Sequence, residues 1–227
     1  MVGRMMAFAL LFGALALAAP RTQAAMAQDS ALNADVLHLS LDWERIKFQV
    51  EDRDLQEKEM AGLAQRAAEI AQRYQGRPEA QIWLGIIISE QSSMASENGS
   101  PFKALGFAKQ ARDILEKEEK VDPVAVDAGA PTSLGVLYYR VPGFPIGFGD
   151  TKRARQLLQE AVTNAPNGLD ANYFYGDFLY QQHEYAAAEK VLRHALSIPA
   201  HPERPLWDKS RRLVIQELLA KIASAGH

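Results

Sequence analysis

Apolar residues recur at intervals of three and four along the chain from Ser30 onward, and no long stretch alternates apolar with polar. A helical face repeats every 3.6 residues and a strand face every two, so the pattern predicts helices and no sheet. Val36, Leu39, Trp43, Ile46 and Val50 mark a helix over Asp35 to Val50. Leu63, Ala67, Ile70, Ala71 and Tyr74 mark another over Leu55 to Tyr74, ended by Gly76, with Pro78 as the next start. Further helices are expected from Pro78 to about Ser96 and from Pro101 to Lys120, with a break at Asn98 to Pro101. After an irregular stretch, Thr132 or Ser133 is expected to cap a short helix ending at Tyr139 or Arg140. Asp150 is placed to cap a helix over Thr151 to Asn164, and Asp170 to cap the next. Glu184 to Ser197 and Pro205 to Ala223 complete roughly eight or nine helices. In the last one Trp207, Val214, Leu218 and Ile222 are expected inward and Arg211 outward.

Small residues in these helices repeat. Gly176, Ala188 and Ala195 lie 12 and 7 residues apart. That spacing suits a helical hairpin of the 34-residue tetratricopeptide type, whose helices cross where only glycine or alanine fits. Ala154, Leu158, Ala161 and Pro166 match its second half, with Gly135 as the partner glycine. There the gap is 19 residues instead of 12, and Gly85 to Ala104 shows the same gap. A degenerate first unit is expected to use Ala64, Ala68 and Ala71, and the last helix to act as a terminal cap. The expected fold is all-α: helical hairpin repeats forming a compact bundle or short solenoid with an apolar cavity.

The insertion in the Gly135 unit is LYYRVPGFPIGFGD, Leu137 to Asp150. Connectors are usually polar because their tips face water, and this one is apolar and stiffened by proline and glycine. It either packs as core or closes over a site. Gly149 is expected to take a left-handed backbone before the Asp150 cap. Nearby, Asp170 to Tyr180 puts Tyr173, Phe174, Tyr175, Phe178 and Tyr180 on one helix. Phe174 and Phe178 are expected in the core, and Tyr173 and Tyr180 along a groove.

The start of the chain changes the compartment. Arg4, the apolar run Met5 to Ala19 and the small-residue signal Ala25-Met26-Ala27 read as a secretory leader over residues 1–27, cleaved before Gln28. The domain is then 28–227, carrying 23 basic against 28 acidic residues. With no basic face, nucleic acid is excluded as a partner. With no cysteine there is no disulfide frame, thiolate metal site or lipid attachment, and the periplasm is the expected compartment. The five histidines show no metal-ligand spacing, and nucleophile elbow and phosphate-loop motifs are absent. No catalytic residue, metal or cofactor is expected.

Tyr138 to Asp150, the alanine-patterned helix to Pro166 and GLDANYFYGDFL, Gly168 to Leu179, together resemble the T-component family of TRAP transporters, the TatT-like proteins. The likeness covers about Thr132 to Ala195. Two departures are that Phe144 stands where many members have tryptophan, and that the lipid-modified cysteine of many members is missing. The resemblance implies an all-helical periplasmic protein that handles an apolar or organic-acid ligand with a periplasmic binding protein. Some relatives are trimers. An apolar small molecule or lipid is expected to meet Trp83, Ile86, Tyr138, Tyr139, Val141, Pro142, Phe144, Pro145, Ile146, Phe148, Tyr173 and Tyr180, where the loop adjoins two helices. The alternative is a tetratricopeptide-type adaptor for a protein partner, with the loop as buried packing.

Overall fold

Helix boundaries follow the caps and breakers of the sequence closely except at two starts: the first helix is already formed at Ala19, ahead of the expected Asp35, and the fifth begins at Ala125, ahead of Thr132. In the computed structural model, which describes residues 19–225, nine helices form among the described residues. They are α1 (Ala19–Gln49), α2 (Arg53–Arg73), α3 (Pro78–Glu97), α4 (Pro101–Val121), α5 (Ala125–Arg140), α6 (Thr151–Asn164), α7 (Leu169–Gln181), α8 (Tyr185–Ser197) and α9 (Pro205–Ala225). Most of the leader, residues 1–18, lies outside the described residues. Gly76 ends α2 with φ +81°, as a residue without Cβ can. Asp150 caps α6, its carboxylate accepting from the backbone N–H of Lys152 at 2.9 Å and of Arg153 at 3.0 Å.

Two caps differ from expectation. Gly168, not Asp170, is the N-cap of α7, which places Asp170 in the first turn with its side chain free for other partners. Neither Thr132 nor Ser133 caps α5, which starts at Ala125; the Asp122 carboxylate accepts from the backbone N–H of Val124 at 3.2 Å and of Ala125 at 3.1 Å. The entry of α5 is a left-handed turn, with φ of 54°, 50° and 58° at Val126, Asp127 and Ala128, and Thr132 is buried behind it. Such a turn in L-residues costs about 1–2 kcal/mol per residue, so the surrounding packing must hold it.

The helices pair as hairpins α3–α4, α5–α6 and α7–α8, with α1 and α2 as the degenerate first unit. In each regular hairpin one glycine lets the partner helix approach. A Cβ on Gly176 would sit 2.5 Å from Leu192, on Gly135 2.5 Å from Leu158, and on Gly85 2.6 Å from Leu115. These partners lie 16, 23 and 30 residues on, a step of seven each time. The α3–α4 unit therefore carries a longer insertion than the Gly85-to-Ala104 gap implied. Its extra residues lengthen both helices by whole turns and leave a tight turn at Asn98 to Ser100, whereas in α5–α6 they form a loop. In α2, Ala67 and Ala71 are buried and Ala68 faces water, so the first unit uses a different stripe from the one expected.

The first helices of the units, α1, α3, α5, α7 and α9, touch in succession, and α9 also packs against α1. The row closes on itself. Its inner side forms one core with Leu39, Trp43, Ile46, Trp83, Ile87, Tyr173, Phe178, Trp207, Ile215 and Leu218. Phe178 is fully buried there, a gain of roughly 1.5–3 kcal/mol. A second core joins α3, α4, α5 and α6 around Ile82, Leu115, Leu134 and Leu157.

One buried charge has no ion-pair partner. Glu118 sits on the inward stripe of α4, and burial raises its pKa above the ordinary value of 4.5. The folded protein then binds that proton more tightly than the unfolded chain, and ionisation costs stability. Glu118→Gln is expected to raise Tm at pH 7, with the gain fading as pH falls through the folded pKa toward 4.5; thermal unfolding across that range checks it.

Candidate functional site

The Val141–Gly149 loop has a buried base and a free tip. Val141 and Phe148 turn back onto the second core, where the Phe148 ring meets Tyr138 edge-on at 5.4 Å and the Arg112 guanidinium at 4.6 Å. The backbone closes above them. Gly149 N–H donates to Pro142 O at 2.9 Å and Asp150 N–H to Tyr138 O at 2.9 Å. The N–H groups of Ile146 and Gly147 both donate to Gly143 O at 3.1 Å. Gly149 is needed for close approach and not for a left-handed backbone: a Cβ there would lie 1.9 Å from Val141 O. Beyond this frame Pro142, Phe144, Pro145 and Ile146 face water, Phe144 at 93% exposure and Ile146 at 70%. The loop is thus core at its base and exposed at its tip.

Residues expected to line one cavity fall into three surroundings. Tyr138, Val141 and Phe148 belong to the second core, and the loop tip to solvent. Trp83 and Tyr173 are buried inside the closed row, with Ile86 between the two cores and Tyr139 beside Phe178. Tyr180 lies against Tyr185, at 5.6 Å between rings. Tyr173 is more buried than the groove reading implied, while Phe174 is only half-buried. The surface concavities lie elsewhere. One of about 210 Å³ separates α1 from α2 among Asp35, His38, Arg66, Glu69 and Arg73. A smaller one of about 90 Å³ lies among Glu57, Gln91, Met94 and Lys103.

The interior holds charges that the helical pattern hid. Arg211, expected outward, is 5% exposed: its Nε lies 2.6 Å from Asp170 Oδ1 and its guanidinium covers the Tyr173 ring at 4.2 Å. Arg204 lies over Trp207 at 4.4 Å and Trp83 at 5.3 Å, with Glu44 Oε1 3.9 Å from its Nε. Glu44 also accepts the Trp207 backbone N–H at 2.6 Å, and Asp170 accepts the Trp207 indole N–H at 3.1 Å. Burial raises the Glu44 pKa and lowers that of Arg204, as expected for charges drawn out of water. At the far end of α7, buried Asp177 accepts from the Tyr139 hydroxyl at 2.5 Å and from Arg140 at 3.0 Å. Burial raises the Tyr139 pKa here, and that of Tyr138, whose hydroxyl donates to Glu116 on α4 at 2.6 Å, to about 12, so both hydroxyls stay protonated and act as donors. Asp170 in a first turn was the legible signal; the partners from α1 and α9 were not. Among the described residues no group of acidic or histidine side chains is arranged to hold a metal.

A family model described as tetratricopeptide repeat matches residues 146–207, which span α6, α7 and α8. Among solved structures, a thermophilic TPR protein from Thermus thermophilus is similar. The TM-score is 0.52 at 19% identity, over 74% of this chain and 75% of that one. At that identity the likeness is one of fold. No curated protein matches the chain. The fold is that of a tetratricopeptide-like helical repeat.

Proposed function

We propose that this protein is a non-enzymatic, tetratricopeptide-type adaptor of the periplasm that holds a protein partner on its outer surface. Closure of the row by α9 carries the reading. Open arrays of such repeats bind on their concave face, and here Trp83, Tyr173, Trp207 and their arginines fill that face. Recognition then falls to the exterior, where the α1–α2 cleft offers the exposed arginines Arg66 and Arg73 beside His38 and Glu69. Arginine is enriched in protein interfaces, which supports this choice. Arg66 and Arg73 are paired across the cleft with Asp42 and Asp35 at 2.6 and 3.0 Å. Arg66→Gln with Arg73→Gln, which loses these exposed pairs without adding like-charge contacts, is expected to weaken partner capture in a pull-down at least tenfold and to lower Tm by only a few degrees. Equal capture by the variant places the partner elsewhere.

Export fits the way α1 begins. Residues 25–31 are exposed and the first buried side chain is Leu32, so cleavage before Gln28 removes nothing from the core among the described residues. N-terminal sequencing of the protein from a periplasmic fraction is expected to begin at Gln28; retention of Met1 refutes processing.

The narrower reading is an accessory component of a TRAP-type transport system, handing an apolar or organic-acid molecule to a binding protein and assembling as a trimer. It rests on the loop motif and the aromatic α7. Organic extraction of the purified protein separates the two: a stoichiometric apolar molecule favours transport, and an empty extract with intact partner capture favours the adaptor.

A further inference from the structure

We propose that the loop tip, Phe144-Pro145-Ile146, is a wedge that rests this protein on a lipid surface with anionic headgroups. From Val141 to Gly149 no side chain is polar. An exposed run of that kind marks a binding surface when it is held rigidly outward. The base is held by Phe148 on Tyr138, by Val141 in the second core and by the cross-loop hydrogen bonds.

Shape selects the occupant. A stable protein interface needs about 800 Å² from each partner, spread over some 20 residues a side, with anchors ringed by neighbours that exclude water. Phe144, at 93% exposure, and Ile146, at 70%, have almost no flanking wall. A bilayer needs neither a matching surface nor a ring, because its headgroups close around any apolar side chain that enters.

Charge selects the headgroup. Arg140 precedes the loop, and Lys152 and Arg153 follow it. The Arg140 side chain is 45% exposed and its partner Asp177 only 11%; Arg153 is 39% exposed and its partner Glu119 only 12%. In both pairs the carboxylate is the more buried member and the guanidinium the more exposed. Lys152 is exposed, while the Asp150 carboxylate is occupied in capping α6. Basic groups so placed add attraction to anionic phospholipid within a Debye length. No helix among the described residues is long and apolar enough to cross a membrane, so the contact is peripheral.

This surface is separate from the α1–α2 cleft, and either assignment stands without the other. The test is flotation of the purified protein, its N-terminus sequenced, with vesicles of phosphatidylethanolamine plus phosphatidylglycerol and with phosphatidylcholine alone. Wild-type protein is expected to float with the anionic vesicles, less so in high salt. Phe144→Ser with Ile146→Ser is expected to lose about tenfold or more of that partitioning. Because both side chains already face water, the helical circular dichroism is expected to stay unchanged. Lys152→Glu is expected to lose about fivefold on anionic vesicles and nothing on neutral ones. The proposal is overturned if the wild type stays unbound. It is also overturned if the double variant floats equally well, which would assign binding to a retained leader, or if the double variant loses protein capture and not vesicle binding.

Discussion

Replacing Glu44 with leucine is expected to lower stability by about 3 kcal/mol, the size of effect seen when one member of a buried ion pair is removed. Glu44 is almost fully buried and has two tasks: it accepts the Trp207 N–H at the start of α9, and it supplies the carboxylate facing Arg204. Leucine leaves the Trp207 N–H unpaired and removes one of the two carboxylates, Glu44 and Asp170, that offset the buried Arg204 charge. Glutamine keeps an oxygen for the N–H and is expected to lose only about 1 kcal/mol. For a chain of this length 3 kcal/mol corresponds to a fall of about 10 °C in Tm. Adding Arg204→Met to Glu44→Leu is expected to recover part of the loss, since the buried guanidinium that has lost one of its two carboxylates is then removed as well. Urea unfolding of the four proteins in this cycle measures the coupling. If Glu44→Leu unfolds like the wild type, α9 is not held to α1 by this contact and the closed row loses its main polar tie.

Gly176→Ala is expected to lose about 2–3 kcal/mol, although glycine-to-alanine changes within helices usually stabilise. The new Cβ would sit 2.5 Å from Leu192, on a neighbouring helix that cannot withdraw without opening the core. Gly106, exposed in α4, is the control: nothing lies within 4 Å of its Cβ position, and Gly106→Ala is expected to gain about 1 kcal/mol. Opposite signs, read from thermal unfolding, separate the packing role of the crossing glycine from helix propensity. Equal signs would mean that α7 and α8 are free to part.

The sequence alone determined most of the helices and the crossings inside the α5–α6 and α7–α8 hairpins. Both depend on residues close along the chain. Asp150 finds its two N–H partners within three residues, and Gly135 and Gly176 meet leucines in the next helix. The loop was visible as an apolar insertion for the same reason. Its orientation was not, because an apolar side chain is compatible with either core or surface. Only the tertiary structure turned Phe148 inward and left Phe144 in water.

The closed row was likewise beyond the sequence. A 3.6-residue period assigns each helix a face but not the partner that face meets. Arg211 is polar and was assigned outward, yet Asp170 and Tyr173, some forty residues earlier, give it a buried place. Glu44 and Trp207 are 163 residues apart, and no local pattern registers that hydrogen bond. That distant pairing joins α9 to α1 and fills the concave face of the row.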